Sequence, residues 1–208
     1  MELIDVITTH LLELFEVNQF LITMEGFSQI SNCFLWNHTK KLKKLIFPGY
    51  SDAELSCADM KFIMEELIIT DSLIINQPID EAYQYGGSLK MKELEVKYAH
   101  WLGIEAILNM DCENLDLRKT MLTCEDLNRI VKKWMNGGME KLESVEIKVP
   151  ATGASESVIL AQILCGIDHF LDNNRTFIRR NDGTKAYVEV RVHPNRFDKF
   201  SFEVVTTQ

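Results

Sequence analysis

The sequence predicts an α/β fold in which short helices and strands alternate along one coil, closed at its C-terminal end by a small antiparallel cap. Three observations carry that prediction. Helical and strand periodicities take turns along the chain. The strand centres, near Leu21, Leu45, Ile75, Val96, Leu117 and Ile147, recur at intervals of 21 to 30 residues. Each unit has one apolar helix face and one apolar strand face, and cannot bury both alone. Stacking such units as parallel strands with helices on one side closes a continuous core, which is the plan of a leucine-rich-repeat-like solenoid. An open doubly wound α/β sheet is the rival, but several units are short for full βαβ crossovers. On this reading residues 1–152 form the repeat region and 153–208 the cap, together one domain.

The elements follow in order. "MELIDVITTHLLELFEVNQFLI" is apolar but carries Glu2, Asp5, Glu13 and Glu16, as an amphipathic core helix would, and ends in a strand at 19–22. A helix around Phe27, Ile30 and Phe34 leads into the strand "KKLIF" at 43–47, with Lys40, Lys41, Lys43 and Lys44 as its solvated lead-in. Ser51 and Glu54 make a capping box for a helix through Leu55, Ala58, Phe62, Ile63 and Leu67, followed by a strand at Leu73, Ile74 and Ile75. Leu94, Val96 and Tyr98 alternate with Glu95 and Lys97. Trp101, Ile104, Ile107 and Leu108 space as a short helix, and Leu115 and Leu117 alternate with Asp116 and Arg118.

The stretch from Thr123 to Val149 is the most legible. Thr123 is an N-cap with Asp126 three residues on. Leu127, Ile130, Val131, Trp134 and Met135 make one helical face, and Asn128, Arg129, Lys132 and Lys133 take the other. Asn136, Gly137 and Gly138 stop the helix, because glycine enters the left-handed conformation without a Cβ penalty. Val145, Ile147 and Val149 then alternate with Ser144, Glu146 and Lys148 as a half-buried strand. In the tail, 154–174 reads as a helix with Val158, Leu160, Ile163, Leu164 and Ile167 on its apolar side. Asn181-Asp182-Gly183 is hairpin turn chemistry between strands from Thr176 and from Ala186, and Phe200, Phe202 and Val204 alternate as a third strand.

Composition narrows the function. With 46% hydrophobic and 25% charged residues the chain has globular proportions. A formal net charge of −9 argues against nonspecific nucleic-acid binding, which needs a basic surface. No apolar run approaches the ~20 residues that span a bilayer, and no signal peptide opens the chain. The five cysteines, Cys33, Cys57, Cys112, Cys124 and Cys165, are scattered without a CxxC pair, as free thiols of a reducing compartment would be. An intracellular protein, cytoplasmic or nuclear, is expected, with no nucleic-acid or membrane partner.

Enzymatic readings find no support in the sequence. The histidines are far apart and none belongs to HExxH, and no GxSxG, Walker A loop or GxGxxG occurs. "MNGG" follows a helix and precedes a strand, the reverse of a phosphate cradle. Asp182-Gly183 reads as a turn. No catalytic, cofactor-binding or metal-binding residue is expected, and no cofactor. Trp101 and Trp134, each on an apolar helix face, are expected in the core.

The stretches "WLGIEAILNMDCENLDLRKTMLTCEDLNRIVKKWMNGGMEKLESVEI", "ILCGID" and "RTFIRRNDGTKAYVEV" resemble the type 2 F-box-associated domain, a family greatly expanded in nematodes. The resemblance is strong from about residue 90 to 192 and vaguer before it. It implies the C-terminal recognition region of a receptor whose F-box binds the Skp1 adaptor of a cullin-based ubiquitin ligase. Met1 leads directly into the region of resemblance, and no Leu-Pro-rich F-box stands before it. Skp1 and a cullin are therefore expected as partners only where an F-box is supplied or substituted, and the target protein is unknown. The expected function is a non-enzymatic protein-interaction module like the substrate-recognition region of such a receptor. The alternative is a stand-alone scaffold or competitor with no ligase connection.

The candidate protein-binding surface lies on the outward strand positions. They read Glu95/Lys97, Asp116/Arg118 and Glu146/Lys148, an acid followed two residues later by a base each time, with Asn128 added from the polar face of its helix, where a side-chain bond to a neighbouring loop is the structural alternative. Neighbouring strands in register would set acid against acid at about 0.2–1 kcal/mol per pair. A two-residue stagger would remove that conflict. In-register rows would instead offer a partner a patterned face.

Overall fold

The computed structural model describes residues 21–24, 29–49, 53–193 and 197–205, and the opening amphipathic helix and Ser51 of the expected capping box lie outside them. The chain divides into two compact units, Met1–Tyr83 and Gln84–Gln208.

In the first unit three strands run parallel: β1 (Leu21–Thr23), β2 (Lys41–Phe47) and β3 (Ile68–Ile75). The helix expected around Ile30 is two 3₁₀ turns, Ile30–Asn32 and Phe34–Asn37. Helix α1 (Cys57–Lys61) continues as a π turn, Phe62–Glu66. Its capping box is Ser56 with Asp59, because Asp59 is the side chain that reaches back to the Ser56 N–H. Buried Asp59 also accepts from the Ile30 N–H at 2.8 Å, and Trp36 Nε1 donates to the Ile30 carbonyl at 2.6 Å. One carboxylate thus joins the helix start to the 3₁₀ turns. Leu42, Leu45, Phe47, Leu73, Ile75 and Ile63 fill the core of this unit.

The second unit is a mixed sheet. Its strands are β4 (Glu93–Val96), β5 (Asn114–Leu117), β6 (Ser144–Pro150), β7 (His169–Asp172), β8 (Arg175–Arg179), β9 (Lys185–His193) and β10 (Phe197–Val205). Their order is β4-β5-β6-β10-β9-β8-β7, parallel across the first three and antiparallel thereafter. Helices α2 (Ile104–Leu108), α3 (Cys124–Met135) and α4 (Glu156–Ile163) belong to the same unit. The inward residues Leu94, Leu115, Val145, Phe202 and Val188 share one register, Val96, Leu117, Ile147, Phe200 and Val190 the next, and all are buried. Trp134 of α3 meets Phe202 edge-on at 5.1 Å, and both Trp134 and Trp101 are core residues.

This overturns the expected leucine-rich-repeat-like solenoid with a small cap. Among the described residues strand exceeds helix, 36% to 24%, and the helices there do not make the full layer that a repeating coil needs. The supposed cap is the antiparallel half of the sheet. After α4 the chain crosses to the far edge and returns as the meander β7-β8-β9-β10, and β10 takes the hydrogen-bonding edge of β6 that a solenoid would give to a following parallel strand. β10 can do so because Phe200 and Phe202 alternate inward opposite Ile147 and Val145.

Local signals hold well where the sequence was explicit. The Thr123/Asp126 capping box is complete in both directions. At the other end of α3, Gly137 N–H donates to the Trp134 carbonyl and Gly138 N–H to the Lys133 carbonyl, both at 3.0 Å, with Gly137 at φ +81°. That is a Schellman stop. In the β8–β9 hairpin, Gly183 has φ +92° and Asp182 Oδ1 accepts from the Thr184 N–H at 2.9 Å. Helix α4 is shorter than expected, with Ile159 and Ile163 inward and Val158 48% exposed. No described helix is long and apolar enough to cross a membrane.

Candidate functional site

The pleat that buries Leu94 and Val96 turns Glu95 to the other face of the second unit's sheet, and the same alternation acts on each strand. Glu95 stands opposite Asp116, and Asp116 opposite Glu146. The acids are therefore in register, and the stagger that would pair acid with base does not occur. The row continues across the antiparallel half through Ser201 to Glu189. One pleat further on, Lys148 faces Lys199 and Lys199 faces Arg191, with Arg118 and Lys97 at the ends of their strands completing a basic row.

Pairs between the rows offset the like charges within them. Arg118 holds Asp116 through two bonds, Nε to Oδ1 at 3.2 Å and Nη2 to Oδ2 at 2.7 Å, and lies 3.7 Å from Glu95. Lys148 and Lys199 reach Glu146 at 3.4 and 2.6 Å, and Arg191 reaches Glu189 at 3.1 Å. Burial pushes the Glu146 carboxyl up, but the hydrogen bond and charge of Lys199, with Lys148 beside it, outweigh that and hold it below the ordinary carboxylate value. The hydrogen bonds that Arg118 donates to Asp116 raise its guanidinium above its usual value despite partial burial. The charge-patterned face is thus internally compensated by pairs that draw on β4, β5, β6, β9 and β10.

Two concavities lie on it. The first, about 490 Å³, is acidic, with Glu93, Glu95, Asp116, Glu146, Glu189 and Glu203 around Tyr187 and Ser201. The second, about 530 Å³, sits at the carboxyl ends of β4, β5 and β6 and is basic, with Lys97, Arg118, Lys119 and Lys148 beside Met121, Pro150 and Phe197. Carboxyl ends of parallel strands are where open α/β sheets bind ligands.

Six of the seven candidate residues, Glu95, Lys97, Asp116, Arg118, Glu146 and Lys148, come together on this one face. Asn128 does not. It is buried, and its Nδ2 donates to the carbonyls of Ile163 at 2.6 Å and Cys165 at 3.0 Å, capping the C-terminal end of α4. Its place on the polar face of α3 is real, but α4 covers that face there. Sequence reasoning missed Glu189, Arg191 and Lys199. "EVR" at 189–191 repeats the acid-then-base spacing of the other three strands and could have revealed two of them. Lys199 was not readable, since its acid lies on β6. All five cysteines are free; Cys112 is buried, and burial, with Asp111 nearby, pushes its thiol up to about 12.

The segment that supplies β4, β5, α2, α3 and the start of β6 also matches a known family. Residues 87–147 match the F-box associated family. The matched segment lies wholly within the second unit and contributes both Glu95/Lys97 and Asp116/Arg118. An uncharacterized protein of Caenorhabditis elegans is 29% identical over 89 residues, 43% of this chain and 21% of that protein. The E3 ubiquitin-protein ligase hecw-1 of the same nematode is 33% identical over 60 residues, 29% of this chain and 5% of that protein. The matches thus span about a fifth or less of those relatives' lengths. No solved structure matches the chain.

Proposed function

We propose that the second unit is a non-enzymatic protein-interaction module, the substrate-recognition region of a ubiquitin-ligase receptor of the Skp1–cullin–F-box type, and that it engages its target through the outer face of the sheet. The observation that carries this reading is the pair of in-register charge rows. A sheet face free to choose its surface residues avoids like charges side by side, yet Glu95, Asp116 and Glu146 are aligned and Lys148, Lys199 and Arg191 are aligned beside them. Such rows give a partner an electrostatic pattern that sets orientation and rejects wrong partners. The match of residues 87–147 to the F-box associated family supports the ligase connection.

The test is affinity purification from nematode cells, with the chain as bait and mass spectrometry as readout, repeated with Glu95→Lys and Lys97→Glu combined. The reading expects a set of partners that the double variant loses, with Skp1 and a cullin among the proteins recovered alongside a target. Partners recovered without Skp1 or a cullin would favour a stand-alone scaffold or competitor. Partners indifferent to the double variant and to reversal of the other row charges would end the case for this face.

A further inference from the structure

Among the cations of the basic concavity, Arg118 and Lys148 already hold carboxylates, whereas Lys97 and Lys119 have no ion pair among the described residues. Instead both ammonium groups are drawn over one ring, that of Tyr98, at 5.4 and 4.1 Å from its centroid. Two like charges are thus gathered at one aromatic ring with no carboxylate paired to either among the described residues. Lys119 is held there in the left-handed region at φ +50°, a conformation that side chains other than glycine rarely adopt. Beside them Met121 is 71% exposed, the most exposed methionine among the described residues, and Phe197 lies under the Lys148 ammonium at 5.2 Å. The cavity thus joins positive charge outside any ion pair to an apolar wall partly open to solvent, in a chain whose net charge is −9.

We infer that this concavity binds a short acidic peptide segment carrying one bulky apolar side chain, with its carboxylates on Lys97 and Lys119 and its apolar group against Met121, Pro150 and Phe197. The inference deepens the proposed function and rests on it for the face used. The adjoining acidic groove sets the length of the ligand. Glu93 and Glu203, which have no ion pair among the described residues, leave that groove negative and disfavour any anion that extends across it, so a polyphosphate chain or nucleic-acid backbone is refused while a short acidic segment fits.

The probe is a fluorescein-labelled synthetic peptide with two Asp and two Glu flanking a central Phe, read by fluorescence anisotropy at low salt. Its companions are the same peptide with Phe→Ala, the analogue with Lys for every acid, and inorganic phosphate as competitor. The acidic Phe peptide is expected to bind, the Ala version more weakly, and the Lys version not at all. Lys97→Glu with Lys119→Glu should weaken binding by roughly tenfold or more, the scale of a lost charge-assisted hydrogen bond. Lys119 is exposed and Lys97 half-buried, and a circular-dichroism spectrum like that of the parent identifies a folded variant. Absence of binding, binding untouched by the double variant, or equal binding of the Ala peptide with displacement by phosphate would each overturn the inference. If the acidic peptide fails while captured partners still depend on this face, the proposed function stands and only the ligand assignment falls.

Discussion

Replacing Asn128 with Ala isolates the contact that ties α4 to α3. Asn128 Nδ2 gives one hydrogen to the carbonyl of Ile163, the last residue of α4, and one to that of Cys165, two residues beyond it. A hydrogen bond contributes about 1 kcal/mol net, and a buried acceptor left without a donor costs about 1–3 kcal/mol. The first bond is buried and the second partly so, and the loss for Asn128→Ala is therefore about 2–3 kcal/mol. With a slope of about 2 kcal/mol per molar urea, the unfolding midpoint should fall by about 1 M. Asn128→Asp is the sharper variant, because it sets a carboxylate with no hydrogen to give against two carbonyl oxygens, and it should destabilise more than Ala. Urea titrations followed by tryptophan fluorescence report both, since Trp134 lies on the same helix. A loss below about 0.5 kcal/mol for Ala, or an Asp variant no weaker than the Ala variant, would refute the argument that Asn128 is a clamp. It would return the residue to the list of surface candidates.

Two further outcomes follow from the electrostatics. Cys112, buried and with its thiol pushed up to about 12, should be the last cysteine alkylated by iodoacetamide in the native protein at mildly alkaline pH, and exposed Cys165 the first, as peptide mass mapping would read. The folded Glu146 carboxyl is held below its ordinary value, so its contribution is complete above the unfolded pKa of about 4.3 and is lost as the pH falls through the lower folded value. Unfolding midpoints measured from neutral to acid pH should therefore fall less steeply for Glu146→Gln than for the parent, and equal slopes would contradict the compensating role of Lys199.

Local chemistry was determined by the sequence alone. Thr123 with Asp126, the Asn136-Gly137-Gly138 stop and the Asn181-Asp182-Gly183 hairpin stand where their residue types require, because caps and turns are satisfied by neighbours a few positions away. Alternation also put Glu95, Asp116 and Glu146 on the outward side of their strands before any partner strand was known. Tertiary structure alone decided which strands are neighbours. The apolar alternation of Phe200 and Phe202 fits any sheet edge, and nothing local states that it should return to Ile147 and Val145 of β6 and convert an expected coil into a mixed sheet. A structural side-chain bond from Asn128 was readable as an alternative, but its two acceptors, 35 and 37 residues away, were not, nor was the pairing of Lys199 with Glu146 across strands. Capping and alternation act over one or two turns of chain, whereas strand order and buried side-chain partners are settled by packing between segments that the sequence keeps apart.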